Sequence, residues 1–341
     1  MGCGTCTTVC PSGALTFAYP APADLGARLR TLIGTYLKAG GRDPCLLFHS
    51  RKSADRLARY ARHGRGLPAR VIPVEVHSID AVGLDLWLAA LAWGATNALV
   101  LAGADDVKRY AEVVGFQMRL GNTIAEALGY QGEHLRIVNG DDPSAMDAAL
   151  WGGHPALGVR VPATFAATNE KRTTLFLALD HLAMHAPIPQ RRIALPAGSP
   201  FGAIGVDADK CTMCLACVGS CPEGAILDNP ERPQLRFIET RCVQCGICAK
   251  TCPETAIALA PGLDLTPDAR QPRVLNEAAI VACTRCGKPL GTEKMIGAML
   301  ERLAGHSMFA APGALDRLKM CSDCRVVDLI KTERSIDIRD V

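Results

Sequence analysis

The chain has 341 residues, 49% of them hydrophobic and 21% charged, with a formal net charge of +3. That is enough chain for two or three domains around ordinary globular cores. The small charge and scattered basic residues, with no basic stripe carrying interleaved aromatics, exclude nucleic acid as an expected partner. The most apolar window, 84–102, contains Asp85, Gly94 and Asn97 and changes period halfway, so no membrane span is expected.

The first 20 residues carry Cys3, Cys6 and Cys10-Pro11 at the spacing C-x2-C-x3-C-P. This is three-quarters of the iron–sulfur run C-x2-C-x2-C-x3-C-P. The missing cysteine would sit one residue before Met1, so a truncated motif or a misassigned start is expected. A three-thiolate site and a functionless remnant are the alternatives.

Residues 21–43 read as a helix, with Asp24 as N-cap, leucines 25, 29, 32 and 37 recurring on one face, and Gly40-Gly41 closing it. Strands are expected at 45–48, 70–76, 98–101 and 135–138. Helices are expected at 53–62, 81–93 and 104–128, the last broken near Gly115 or Gly121. Strands alternating with helices predict a doubly wound parallel α/β sheet over 21–150. Its ligand loops would be His49-Ser50, His77-Ser78 and 103–106. None is G-x-G-x-x-G, and Asp105 and Asp106 at a helix start cap well but repel phosphate. Residues 139–168 read as irregular and 169–185 as a helix. A linker with four prolines follows at 186–204, and 261–275 is linker-like again.

Cysteine is the outlier. There are 16, and all but Cys45 fall in three groups. A long chain without a signal peptide and with clustered C-x-x-C pairs favours thiolate–metal ligation in a reducing compartment, most simply the cytoplasm. Cys211, Cys214, Cys217 and Cys221-Pro222 form one full run. Cys242, Cys245, Cys248 and Cys252-Pro253 form a second, 31 residues on. In such runs three thiolates wrap one cubane and the fourth cysteine ligates the other. The first [4Fe–4S] cluster is therefore assigned to Cys211, Cys214, Cys217 and Cys252. The second takes Cys242, Cys245, Cys248 and Cys221. Structural zinc would prefer two separated pairs.

Over residues 205–262 the chain resembles the bacterial two-cluster ferredoxins. The resemblance implies a pseudo-twofold ferredoxin fold, closely spaced clusters and one-electron transfer at low potential. Near the end, Cys283-x2-Cys286 and Cys321-x2-Cys324 suit a tetrahedral four-thiolate site within a small domain at 272–341, for zinc or a rubredoxin-like iron. A helix at 292–303 lies between the pairs, with Met295, Ile296, Met299, Leu300 and Leu303 inward.

Other candidates carry less chemistry. His181 and His185 lie four apart but lack the glutamate of H-E-x-x-H. Cys45, Trp87 and Trp93 read as core. Arg51, Lys52, Arg56, Arg59, Arg62 and Arg65 make a basic patch, either solvated or set to dock an acidic redox partner.

Residues 70–78 (R-V-I-P-V-E-V-H-S), Leu91 to Ala95 and Ala98 to Gly103 are similar to the hydrogenase delta-subunit family, which works with heterodisulfide reductases. That family binds a [2Fe–2S] cluster through cysteines at its strand ends. The corresponding positions here are His49, His77 and Ala104, so the cluster is not carried over. The whole arrangement resembles proteobacterial multi-cluster ferredoxin-like proteins that accompany formate dehydrogenases, which implies a formate-linked partner. The favoured function is an electron-transfer subunit rather than a stand-alone catalyst. The alternatives are an iron–sulfur subunit whose α/β domain binds a cofactor or substrate, and a non-redox assembly factor.

Overall fold

A computed structural model describes residues 4–152 and 156–333, apart from the side chains of residues 105, 107–110, 332 and 333. Cys3 lies outside the described residues. The chain divides into two compact units: residues up to Ser199 with Gly262–Thr266, and Pro200–Pro261 with the chain from Pro267 onward.

The first unit is built on four parallel strands: β1 (Cys45–Ser50), β2 (Val71–Val76), β3 (Asn97–Ala102) and β4 (Leu135–Asn139), in the order β2-β1-β3-β4. The central strands β1 and β3 are buried along almost their whole length. That is why they read as unbroken apolar runs rather than alternating ones. The helices are α1 (Thr5–Val9), α2 (Pro22–Lys38), α3 (Arg51–His63), α4 (Leu84–Ala92), α5 (Ala104–Ala127), α6 (Pro143–Leu150) and α7 (Lys171–Met184). On one face Leu47 and Leu101 of the sheet pack against Leu57 and Tyr60 of α3 and Met146 and Leu150 of α6. Trp87 and Trp93 are core residues, as expected.

Several elements differ from the sequence reading. Pro22 opens α2, so Ala21 is its N-cap and Asp24 sits in the first turn, where its charge favours the helix dipole. α5 is continuous through Gly115 and Gly121. At Gly121 a Cβ would lie 2.4 Å from Leu135 Cδ1, so the glycine serves close helix–strand packing and not a break. The irregular stretch 139–168 contains α6, capped by the Asp142 carboxylate accepting from Ser144 and Ala145 N–H. The Pro-rich linker contains β5 (Arg192–Ala194), which pairs antiparallel with 262–264.

The second unit holds β6 (Gly202–Val206), α8 (Ala216–Gly219), β7 (Ile226–Leu227), β8 (Gln234–Phe237), α9 (Ile247–Thr251) and residues 257–261 of β9 (Ile257–Asp264). β6 pairs with 257–261 of β9, and β7 with β8, all antiparallel. Each cysteine run is thus framed by a strand before and after, and α8 packs on α9. β10 (Arg273–Glu277) extends the β7–β8 sheet where a linker was expected. A hairpin of β11 (Ile280–Ala282) and β12 (Pro289–Thr292) follows, then α10 (Glu293–Leu303), α11 (Ala314–Arg317) and α12 (Ser322–Glu333). Among the described residues no helix is long and apolar enough to cross a membrane.

Candidate iron–sulfur and metal sites

The two runs repeat in three dimensions, residue by residue. In each, the first and fourth cysteines are half-buried, the second exposed and the third buried. Met213 and Gln244, each just before a second cysteine, have φ of 60° and 55°. Leu215 and Gly246, each just after it, have φ of 59° and 75°. Left-handed backbone at non-glycine residues costs free energy and clusters at functional sites. Alternating backbone of this kind turns successive N–H groups inward, as at anion and iron–sulfur sites. The Ala225 N–H donates to Cys221 Sγ at 3.3 Å, and the Ala256 N–H to Cys252 Sγ at 3.4 Å. Burial pushes the Cys217 and Cys248 thiols up to about 11. Metal loading at these thiols must therefore displace protons.

Two small cavities of equal size, about 20 Å³ each, open at these runs. Cys211, Cys214 and Cys217 line one together with Cys252. Cys242, Cys245 and Cys248 line the other together with Cys221. Each cavity thus takes three cysteines from one run and the fourth from its repeat. Among the described residues, only Cys283, Cys286, Cys321 and Cys324 bring at least three candidate ligand atoms within 4.8 Å of one another.

Residues 203–253 match the family model of a 4Fe-4S dicluster domain.

No curated protein matches the chain. The dicluster domain covers both cysteine runs up to Pro253, so the chain carries an iron–sulfur ferredoxin module. The matched model, the paired cavities and the inward backbone donors all fit iron–sulfur clusters held by these cysteines.

The C-terminal cysteines form a separate group. Cys283 and Cys286 lie in the turn of the β11–β12 hairpin, and Cys321 and Cys324 sit at the start of α12. This hairpin-plus-helix arrangement replaces the second hairpin of a plain ribbon. Zn–S bonds of about 2.3 Å set tetrahedral S···S edges near 3.8 Å, and Cys286 Sγ lies 3.6 Å from Cys321 Sγ. The Cys321 N–H donates to Cys283 Sγ at 3.3 Å and holds that thiol below its usual range. The four thiols therefore fit one metal ion. α10 ties this region to the dicluster domain. The Thr292 hydroxyl caps α10 and donates to Thr212 O at 2.9 Å, and Arg302 pairs with Glu254 at 2.9 Å.

In the first unit, Cys6 is exposed on α1 and Cys10 ends that helix. Burial opposes ionisation of Cys10, but hydrogen bonds from Ser12 and nearby backbone bring its thiol down to about 7. Lys171 Nζ donates to the carbonyls of Thr7, Thr8 and Cys10, clamping the end of α1. An 880 Å³ cavity beyond the carboxyl end of β2 is lined by Arg28, His77, Asp85 and Lys171. Burial raises the Asp85 carboxyl and lowers the Lys171 ammonium, each opposed by the other's charge.

Of the other expected loops, His49 is buried at the end of β1, Ser50 caps α3, and Ala104 begins α5. Asp106 accepts the Gly103 N–H, whereas the side chain of Asp105 lies outside the described residues. His181 Nε2 meets Val161 O at 2.7 Å, a backbone contact rather than a metal site. Most of the basic patch on and after α3 is exposed. Arg56 pairs with Asp141 at 2.6 Å, and Arg65 stacks over Trp151. Sequence reasoning missed Gln244, whose amide reaches Cys242. Its place between two cysteines was the available signal.

Proposed function

We propose that the chain relays single electrons through two [4Fe–4S] clusters between a partner oxidoreductase and an acceptor, acting as an electron-transfer subunit. The carrying observation is the pair of cavities, each lined by three cysteines of one run and the fourth of the other. Cys211, Cys214, Cys217 and Cys252 would hold the first cluster, and Cys242, Cys245, Cys248 and Cys221 the second. The clusters supply one-electron chemistry when bound. The protein's own part is to aim N–H groups at the sulfurs, shield Cys217 and Cys248 from water, and leave Cys214 and Cys245 exposed toward partners.

Zinc is the ion we assign to Cys283, Cys286, Cys321 and Cys324, as a structural staple. Cys3, Cys6 and Cys10 would hold at most an incomplete N-terminal cluster. We read the first unit as a doubly wound sheet, supported by the reversal of strand order between β1 and β3. It would serve as a docking scaffold. The cysteine usage favours a reducing compartment, the cytoplasm. Resemblance to proteins that accompany formate dehydrogenases makes such an enzyme the first partner to assay. The cavity with Arg28, His77, Asp85 and Lys171 favours one second reading, an iron–sulfur subunit that binds a substrate or cofactor in its α/β unit.

Anaerobic titration with dithionite should deliver about two electrons per chain, all recoverable by a one-electron acceptor protein. Uptake of none, in protein that carries iron, would refute the relay.

A further inference from the structure

The two runs, C-T-M-C-L-A-C and C-V-Q-C-G-I-C, share backbone conformation and burial, and each fourth cysteine accepts one backbone N–H. In the second run a side chain reaches a ligand sulfur. Gln244 Nε2 lies 3.3 Å from Cys242 Sγ and 2.9 Å from Ala203 O. Both partners are acceptors, so the nitrogen of the amide must face them. Gly202 makes room: a Cβ there would lie 2.7 Å from Gln244 Cδ. Gln244 Oε1 is buried with no partner among the described residues. A buried amide that leaves its oxygen unpaired is held for its nitrogen. The matching residue of the first run is Met213, 5% exposed, whose thioether has no N–H to give.

We propose that Gln244 makes the two clusters unequal, so that a single electron rests on the cluster ligated by Cys242, Cys245, Cys248 and Cys221. This rests on the relay reading above. An N–H aimed at a ligating sulfur stabilises the more negative, reduced state and raises the potential. Equilibration is internal: the first cluster is oxidised by one electron, the second is reduced by one, and no proton or ligand moves. The opposing influence is Arg302, paired with Glu254 beside the first cavity. Arg302 is solvent-exposed and its charge is screened and offset by Glu254, whereas the amide touches the sulfur itself. Electrons would then enter past Cys214 and leave past Cys245.

The test is an EPR-monitored redox titration of the full chain, prepared anaerobically, with iron and sulfide counted on each sample. Wild type should give two one-electron steps separated by at least a tenfold partition, 59 mV for one electron. Gln244→Met should lower the upper step at least threefold and leave the lower one in place. Met213→Gln should raise the lower step. A wild type whose clusters titrate together overturns the inference without any variant. So does Gln244→Met with its iron retained and both midpoints unmoved. If Gln244→Met loses iron, an unmoved lower step in Met213→Gln overturns it. A wild type without iron refutes the relay reading instead, so the two failures are distinct.

Discussion

Leu215 and Gly246 occupy the same step of the two runs and share left-handed backbone, at φ 59° and 75°. One run places a leucine where the other places a glycine, so the conformation is imposed by the site and not by residue preference. Gly246→Ala follows directly. A Cβ there meets nothing closer than Leu259 Cδ1 at 3.5 Å. The cost should be that of the backbone alone, about 1–2 kcal/mol. Denaturant unfolding should report that loss, with iron content unchanged, because Leu215 already tolerates the same geometry. Loss of half the iron would mean the glycine is needed for cluster assembly.

Cys45 offers a pH test in the first unit. It is fully buried in β1, and burial pushes its thiol from its ordinary 9.0 up to about 11, against the pull of Arg70 and Arg136. Between those values the unfolded chain has released its proton while the folded chain keeps it. Stability therefore falls as pH rises, by about 2–3 kcal/mol from this group. Cys45→Ala should be less alkali-sensitive than wild type by about 1.5–2 kcal/mol, measured as the difference in unfolding free energy at pH 8.5 and 10.5. Parallel pH profiles for the two proteins would remove Cys45 as a cause.

The C-terminal thiols should behave as a separate site. Cys321 is buried, its sulfur 3.6 Å from that of Cys286. Cys321→Ser should lose one metal ion per chain by elemental analysis, lower thermal stability by several degrees, and leave the iron of the dicluster domain in place. Zinc in the wild-type site would support a structural role. Iron there, cycling with the clusters, would extend the relay.

The dicluster domain was legible because its ligands are near neighbours in sequence, so spacing alone carries the chemistry. The alternation of β1, α3, β2, α4 and β3 was legible for a related reason: β1, α4 and β3 each bury an apolar run of their own length, and α3 turns Leu57 and Tyr60 to one buried face. Three features were not. The left-handed backbone at Met213, Leu215 and Gln244 carries no glycine to announce it. The bond from Gln244 to Ala203 forms only once β6 lies beside the second run. α6 was hidden by loop-like composition, although Asp142-Pro143 is a proper start signal, with an N-cap followed by proline at the first helical position.

The most direct measurement is the iron and acid-labile sulfide content of anaerobically purified protein, beside Cys214→Ser and Cys245→Ser. Two cubanes require about eight iron and eight sulfide per chain, and either serine should reduce both counts together. Protein that carries zinc without sulfide, or serine variants whose iron is unaltered, would contradict the assignment of these eight cysteines.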